Sequence, residues 1–373
     1  MDSPYQRELT IAFGALQKAS QLSQSIISSQ DKGVIEKEDL SPVTVADFAI
    51  QALLIATFKH AFPGDRFVGE EDAVSLRENE ALRERVWNLL ERLRVDEGDT
   101  LPCQLPRTKD QMCDFIDEAG SSVPGGEGSG RTWIFDPIDG TKTYLRGELY
   151  AINVALLVDG KQMLGAVGCP NLSMNAKGPI SNADVASAGE GCIVFAVKGH
   201  GAFVRPMQGS IEAVQPTRLS RVDARSSDAI HFVTCVNLVD SALDGVHEVV
   251  ARKLGAEYPG CDLVPWVLRW AALALGLGNT TVWVYKRRDR SAKAWDHAGA
   301  MLLFEETGGR ITDVLGRPID LAAGRKMSAN FGFVAAPDQL HERVLQAVHE
   351  VLREQGREDM LTKLQVLNNG TDR

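Results

Sequence analysis

The sequence predicts a protein of mixed helix and strand content, α+β or α/β in class, built as two packed subdomains. Near both ends of the chain, apolar residues recur at steps of three and four, which is typical of amphipathic helices. Between these regions lie two pairs of apolar, β-prone runs that are separated by short glycine-containing turns. The length of 373 residues is large for a single hydrophobic core and suits two.

Helices are predicted where apolar residues repeat with helical spacing or form a long apolar run. They lie at residues 9–26, 48–58, 78–93, 264–276, 295–304 and 337–355. The run at 264–276 is almost entirely apolar, so we expect a buried helix there. A pair of glycines, Gly308 and Gly309, would end the helix that starts at 295.

Strands are predicted where short β-prone runs lie between turn residues. They lie at residues 66–69, 132–135, 150–158, 161–167, 191–197 and 201–205. Asp159-Gly160 joins the third and fourth of these and suits a type I′ hairpin turn. The composition changes over 96–130, and the Ser-, Gly- and Pro-rich end of that segment, 121–130, is predicted to be a flexible loop. Its alternating glycines are not a nucleotide-binding loop, because neither a strand precedes them nor a helix follows.

Composition excludes several classes of function. The net charge of −10 argues against a nucleic-acid polymer as partner, since phosphate backbones are held by basic surfaces. No run approaches 18 uninterrupted apolar residues, so a membrane span is not expected. The N-terminus lacks the apolar segment of a signal peptide, and the six cysteines form no Cys-x-x-Cys pair. We therefore expect reduced thiols, a cytoplasmic location and no requirement for an oligomer.

The strongest chemical signal is a pair of aspartates that follows an apolar strand. The segment reads Asp136-Pro137-Ile138-Asp139-Gly140-Thr141. We expect the proline to stop the strand from pairing further, and the glycine to permit a sharp turn close to a ligand. A helical turn that starts at Thr141 would point free N–H groups at a bound anion. Hard oxygen ligands without supporting His or Cys side chains suit Mg²⁺. Taken alone, the segment fits an ordinary surface turn equally well.

Three further acidic residues have both a functional and a purely structural interpretation. Glu70 follows a predicted strand, where it could reach a site at the end of the sheet or belong to a solvated acidic loop. Asp47 could bind a ligand or close a capping box with Thr44. Asp296 could bind a metal or cap the helix that follows it.

Together these segments resemble the signature of the inositol monophosphatase superfamily, and most closely its 3′(2′),5′-bisphosphate nucleotidase branch of fungal or plant type. The segments that carry the resemblance are Thr44-Val-Ala-Asp47, Gly69-Glu70-Glu71, Trp133-Ile-Phe-Asp136-Pro-Ile-Asp139-Gly-Thr-Lys142 and Trp295-Asp296-His297-Ala298. The similarity runs from near residue 5 to about residue 350. It implies an αβαβα layered sandwich and Mg²⁺-dependent hydrolysis of a small phosphorylated metabolite.

The resemblance also implies a role for each residue of the site. Two or three Mg²⁺ ions would be held by Glu70, Asp136, the Ile138 carbonyl, Asp139 and Asp296. Asp47 and Thr141 would orient and deprotonate the attacking water, which the metal activates. The backbone N–H groups of Gly140, Thr141 and Lys142 would hold the phosphate. We divide the chain into an N-terminal subdomain with most metal ligands (1–170), a C-terminal subdomain that supplies Asp296 and the substrate pocket (171–356), and a polar tail (357–373).

The substrate half matches the family pattern less well than the metal half. Arg269 stands where these nucleotidases have a substrate-binding Lys, and Trp266 stands where they have a Ser. Either the alignment slips by a few residues or the pocket for the leaving group has changed. Thr143 also stands where the family commonly has Gly.

Three functions remain open at this point. The first is hydrolysis of adenosine 3′,5′-bisphosphate to AMP and phosphate. The second is the same chemistry on an inositol phosphate, a sugar phosphate or a specialised metabolite. The third is a non-catalytic phosphate or metal sensor, against which the retention of mutually repelling carboxylates argues.

Overall fold

The computed structural model describes residues 3–27, 35–36, 42–97, 103–125, 130–211, 213–221, 229–236 and 241–362. The α-helices in these ranges, numbered in chain order, are α1 (Gln6–Ile27), α2 (Val45–Ala61), α3 (Val74–Glu78), α4 (Glu80–Glu97), α5 (Lys109–Ser121), α6 (Thr141–Leu145), α7 (Val246–Lys253), α8 (Trp266–Leu275), α9 (Ala300–Glu306) and α10 (Asp338–Glu354). None of these helices combines the length and the apolar character that a membrane crossing needs.

The strands of the described ranges form one large sheet and three small ones. They are β1 (Ile35–Glu36), β2 (Pro42–Val43), β3 (Arg66–Gly69), β4 (Arg131–Asp139), β5 (Ala151–Val158), β6 (Lys161–Cys169), β7 (Cys192–Val197), β8 (Gly201–Pro206), β9 (Thr217–Arg218), β10 (Val233–Thr234), β11 (Cys261–Asp262), β12 (Thr281–Trp283), β13 (Gly309–Thr312) and β14 (Phe333–Pro337). The large sheet has the order β3-β4-β5-β6-β7-β8-β9, and a three-stranded sheet has the order β12-β14-β13.

These elements stack as five layers. Helices α1 and α2 pack on one face of the large sheet, and α8 and α9 pack on the other. The opposite sides of α8 and α9 meet the smaller strands β10 and β13, and α10 with α7 covers the three-stranded sheet from behind. Two apolar cores result, one on each face of the large sheet. The layered αβαβα sandwich expected from the sequence is therefore confirmed.

Several local predictions are confirmed in detail. Strands β5 and β6 form the expected hairpin, in which Asp159 and Gly160 both have positive φ (50° and 76°), as a type I′ turn requires. Strands β7 and β8 form the second hairpin. Helix α8 is buried over nearly its whole length.

Three predictions needed correction. The expectation that Pro137 ends strand pairing is wrong, because β4 pairs with β5 again at Asp139 and Ala151. The helix expected from residue 295 begins at Ala300 instead, since residues 294–296 form a separate 3₁₀ turn and Gly299 has a φ of +74°. Helix α5 lies within a segment for which no element was predicted. Of the loop predicted at 121–130, Ser121 ends α5 and residues 126–129 lie outside the described residues. Of the tail predicted at 357–373, Glu358–Leu361 forms a 3₁₀ turn and residues beyond 362 lie outside the described residues.

The division of the chain at residue 170 stays a prediction. Strand β6 lies before that point and β7 after it, and the two pair along their length within the large sheet.

A close approach between backbones seats the 3₁₀ turn on the large sheet. A Cβ atom at Gly165, on β6, would lie 2.1 Å from the Gly299 carbonyl oxygen. A Cβ atom at Gly299 would lie 2.6 Å from the Cβ of Ala155 on β5. The N–H of Gly299 also donates to the side chain of Gln162 at 2.7 Å. The two glycines therefore determine how closely the turn that carries Asp296 approaches the sheet.

We expect Gly165→Ala to lower the free energy of unfolding by about 1–3 kcal/mol, because the added methyl group must displace the Gly299 carbonyl. Urea unfolding followed by circular dichroism measures this. Gly64→Ala is the matched control, because a Cβ atom at Gly64 meets nothing within 4 Å. Equal stability of the two variants would contradict the proposed packing constraint.

Candidate metal centre

Three aspartates bring their side chains together at one end of the large sheet. Asp136 and Asp139 lie on β4, and Asp296 lies on the 3₁₀ turn. Each contributes a carboxylate oxygen to a group whose members all lie within 4.8 Å of one another. Asp136 and Asp139 are buried and Asp296 is partly buried. Asp296 does not cap the following helix, whose N-cap is Gly299.

An irregularity in β4 places both of its aspartates in this group. Residues three apart in a regular strand point to opposite faces of the sheet. Between Asp136 and Asp139, however, β4 advances three residues while β5 advances only two, from Asn153 to Ala151. This bulge takes Pro137 out of the ladder and turns both carboxylates to the same side.

The N-terminus of α8 holds the carboxylate of Asp139. The backbone N–H of Val267 donates to Asp139 Oδ2 at 2.6 Å. Pro265 precedes the helix and lies so close to Gly140 that a Cβ atom there would be 2.5 Å from the proline Cγ. Gly140 has a φ of +85°, which favours glycine as well. The loop after β4 and the start of α8 therefore fit together around Asp139.

Burial and mutual repulsion raise the pKa values of the three aspartates. For Asp136, burial is followed by the charges of Glu70 and Asp139, and the pKa lies well above its ordinary value. For Asp296, burial is followed by Asp139 and Glu70. Burial also raises the pKa of Asp139, to about 7, although the N–H of Val267 acts in the opposite direction. Asp136 Oδ1 is buried and has no hydrogen-bond partner among the described residues.

A multivalent cation would relieve each of these penalties. Carboxylate oxygens are the ligands that hard divalent cations prefer. A bound cation would offset the repulsion, keep the carboxylates ionised and occupy the orphaned oxygen of Asp136. The side chains present at this centre therefore fit a divalent metal.

Glu70 follows β3 at the border of this centre. It does not belong to the group of oxygens within 4.8 Å, but its charge acts on all three aspartates. Its loop is fixed from two sides. Arg325 donates to the carbonyls of Gly69 at 2.7 Å and Glu70 at 3.2 Å, and Gln51 exchanges hydrogen bonds with the backbone of Glu71.

Two of the residues expected to handle water and phosphate are linked to the aspartates, since the charge of Asp47 acts on Asp136 and Thr141 follows Asp139 by two residues. Asp47 is buried and closes the capping box of α2, in which its Oδ2 accepts from the N–H and the hydroxyl of Thr44 at 2.8 and 2.6 Å. The hydroxyl of Thr141 donates to the Ile138 carbonyl at 3.3 Å. Thr141 is also the first residue of α6, as expected, and Lys142 is exposed. The N–H groups of Thr143 and Tyr144 make the first hydrogen bonds of α6, both to the Gly140 carbonyl. The N–H groups of residues 140–142 come before these, at the N-terminal end of the helix.

Arg269 is only 3% exposed and lies against two indole rings whose planes are 78° apart. Its guanidinium carbon is 4.1 Å from the ring centre of Trp266 and 4.6 Å from that of Trp283. Its Nε and Nη2 donate to the carbonyls of Leu263 and Val264. Nη1 is buried and has no hydrogen-bond partner within the described ranges.

Sequence reasoning missed the residues that support the acidic side chains. Arg325 lies in a loop of the C-terminal half, and no local pattern indicates that it reaches Glu70. Asn153 interrupts an apolar strand, which is a signal that could have been noticed. Thr143, which replaces the family's usual Gly, is accommodated without positive φ and donates its hydroxyl to the Gly140 carbonyl at 2.7 Å.

Comparisons with known proteins agree with this geometry. The model of the inositol monophosphatase family matches residues 105–353. The chain is 36% identical to the 3′(2′),5′-bisphosphate nucleotidase of Emericella nidulans, over 94% of this chain and 99% of that relative. It is 34% identical to the protein of the same name from Oryza sativa, over 95% of this chain and 96% of that relative.

Solved structures show the same fold at much lower identity. The IMPase of Thermotoga maritima superposes with a TM-score of 0.57 at 18% identity, covering 93% of this chain and 99% of that one. The extragenic suppressor protein suhB of Bartonella henselae gives a TM-score of 0.57 at 19% identity, covering 92% and 98%.

We expect the stability of the metal-free protein to fall as the pH rises from about 4 to 7. In the unfolded chain Asp139 ionises near pH 4, whereas in the folded protein it keeps its proton until about pH 7. A raised folded-state pKa therefore stabilises at low pH, and the contribution is lost as the pH rises through 7. Asp139→Asn should remove about 1–3 kcal/mol of this pH dependence.

The measurement is urea unfolding in EDTA at pH 5 and pH 8 for wild type and Asp139→Asn. We also expect Asp139→Asn to be the more stable of the two at pH 8 without metal. Identical pH dependence in both proteins would contradict the electrostatic strain assigned to Asp139.

Proposed function

The chain belongs to the inositol monophosphatase family, and on that premise we propose that it is a Mg²⁺-dependent 3′(2′),5′-bisphosphate nucleotidase. It would hydrolyse adenosine 3′,5′-bisphosphate to AMP and phosphate. The observation that carries this proposal is the similarity to fungal and plant proteins of that name over more than nine-tenths of the chain. The cluster of three aspartates, two of them buried, supports the metal-dependent chemistry, because packing alone gives no reason for it.

The proposed metal ligands are the three aspartates, Glu70 and the Ile138 carbonyl. Every donor is a hard oxygen, a set that suits Mg²⁺ better than Zn²⁺. Four carboxylates balance the charge of two divalent ions, and the phosphate of the substrate would balance a third. When bound, these ions would neutralise the phosphate and the departing alkoxide and lower the pKa of water.

The chain's own groups would position the reactants. Asp47 is the proposed proton acceptor for the attacking water, and its orientation is fixed by the two bonds from Thr44. The Thr141 hydroxyl, which already reaches the Ile138 carbonyl, would orient that water from the other side. Backbone N–H groups of Gly140, Thr141 and Lys142 would hold the phosphate oxygens and stabilise their charge in the transition state.

A second candidate is hydrolysis of another small phosphomonoester by the same centre. Arg269 and Trp266, which replace the family's substrate-binding pair, pack against each other and against Trp283. A pocket wall that includes Trp266 would be bulkier and more apolar than one made of Ser and Lys. It would suit an inositol phosphate, a sugar phosphate or a specialised metabolite only where the leaving group fits against aromatic rings.

We expect release of phosphate from adenosine 3′,5′-bisphosphate in the presence of Mg²⁺, at a higher kcat/KM than from inositol 1-phosphate or fructose 1,6-bisphosphate. A phosphate-release assay with the three esters and the sulfated nucleotide makes this comparison. Turnover of the inositol ester alone would replace the first candidate by the second. No turnover of any ester, together with tight Mg²⁺ binding, would favour a sensing protein.

Asp139→Asn should lower kcat/KM by about 100-fold or more, because it removes one negatively charged metal ligand. In metal sites generally, even residues that only hydrogen-bond to the ligands contribute about 10–100-fold. The control is Asp114→Asn, because Asp114 is exposed and pairs with Arg77 on the surface. Unchanged activity of Asp139→Asn would rule out this assignment of the metal centre.

A further inference from the structure

We propose that Asn153 is a positioning residue that holds the turn carrying Asp296 against the strand that carries Asp136. This inference rests on the proposed metal-dependent function, and it assigns a role to a residue outside the acidic motifs. Asn153 lies on β5 and is fully buried.

The side-chain amide of Asn153 bonds to the backbone on both sides of Asp296. Its Nδ2 donates to the carbonyl of Trp295 at 2.7 Å and to that of Ala298 at 2.8 Å. Both partners are carbonyl oxygens, which only accept hydrogen bonds, so the NH₂ group and not the oxygen must face them. One side chain thus uses both of its N–H bonds to fix a turn of a few residues.

Asn153 also lies directly opposite Asp136, on the neighbouring strand β4. Asn153 is the direct cross-strand partner of Asp136, so the two side chains lie on the same face of the sheet. The two hydrogen bonds of Asn153 therefore connect the turn of Asp296 to the strand position next to Asp136, although the two aspartates are far apart in sequence.

Packing does not explain an asparagine at this position. The remaining residues of β5 are apolar. Burying an amide costs free energy unless its hydrogen bonds are made, and Oδ1 of Asn153 has no partner among the described residues. An apolar side chain would fill the space without that cost. The two hydrogen bonds to the carbonyls of Trp295 and Ala298 offset the free-energy cost of burying the amide.

The two hydrogen bonds of Asn153 oppose the electrostatic repulsion between the carboxylates of the site. Asp136 and Asp296 repel each other when both are ionised, and Asp296 sits on a 3₁₀ turn of only three residues. Without the bonds from Asn153, the turn keeps its contacts at Gly299 but loses the two bonds that flank Asp296, so its carboxylate can move away from β4. A metal would then have to supply the free energy that draws the ligands back together, so its affinity would fall.

The test measures metal affinity directly. Mn²⁺ and Mg²⁺ binding to the metal-free full-length protein is followed by calorimetry for wild type, Asn153→Ala and Asn153→Leu. We expect a 10–100-fold loss of affinity in both variants. The Mg²⁺ concentration for half-maximal activity should rise by the same factor, while kcat at saturating Mg²⁺ should recover to within a few-fold of wild type. The leucine variant fills the volume of the amide, so its folding does not depend on tolerance of a cavity.

Asn279→Ala is the matched control. The side chain of Asn279 also bridges two backbone groups, the N–H of His231 and the carbonyl of Ala229, each at 2.9 Å. It lies beyond the C-terminal end of α8, whereas Asp139 meets the N-terminal end. We expect this variant to lose stability and to keep the metal affinity of wild type within about twofold.

Wild-type metal affinity in folded Asn153→Leu would overturn the proposal, as would an equal loss of affinity in Asn279→Ala. Wild-type protein that binds Mn²⁺ but hydrolyses no ester would overturn the proposed activity and leave the positioning role measurable. Wild-type protein that binds no divalent cation would overturn both.

Discussion

Repulsion between carboxylates in a buried site is the constraint on which the rest of this structure depends. Three aspartates with oxygens within 4.8 Å of one another, and a glutamate close enough to act on all three, destabilise the fold when no cation is bound. Three of these four acidic residues are restrained by a neighbouring group. The N-terminus of α8 holds Asp139, Asn153 holds the turn of Asp296, and Arg325 with Gln51 holds the loop of Glu70.

These restraints come from different layers of the sandwich, which explains why the site needs the whole fold. The bulge of β4 belongs to the large sheet, whereas α8 and the 3₁₀ turn belong to the layer packed against it. Gly165 and Gly299 allow that layer to approach the sheet at backbone distance. A change in the separation of the layers would therefore move Asp296 relative to Asp136 without altering either residue.

The sequence predicts the elements whose determinants are local. Asp159-Gly160 specifies a hairpin because its turn requires positive φ, and the apolar run of α8 specifies a buried helix. The pair Asp136 and Asp139 could be found because the two residues are close in sequence, whereas Asp47, Glu70 and Asp296 were assigned through the resemblance to a known family. Arg325 and Asn153 could not be assigned in this way, since their hydrogen-bond partners lie more than 140 residues away in the chain. The continuation of β4 past Pro137 was missed for a related reason, because a bulge depends on the partner strand.

Arg269 connects the segment that leads into α8 with the metal centre. Burial lowers the pKa of its guanidinium. Two of its nitrogens donate hydrogen bonds to the carbonyls of Leu263 and Val264. Those residues lead directly into Pro265, which packs on Gly140, and into the N–H of Val267, which binds Asp139. A lysine could not make the same forked contacts with these carbonyls while lying against two indole rings. Arg269 therefore fixes the backbone that orients a metal ligand. Because the same residue stands at the proposed substrate-binding position, we expect its replacement to change substrate preference and metal affinity together.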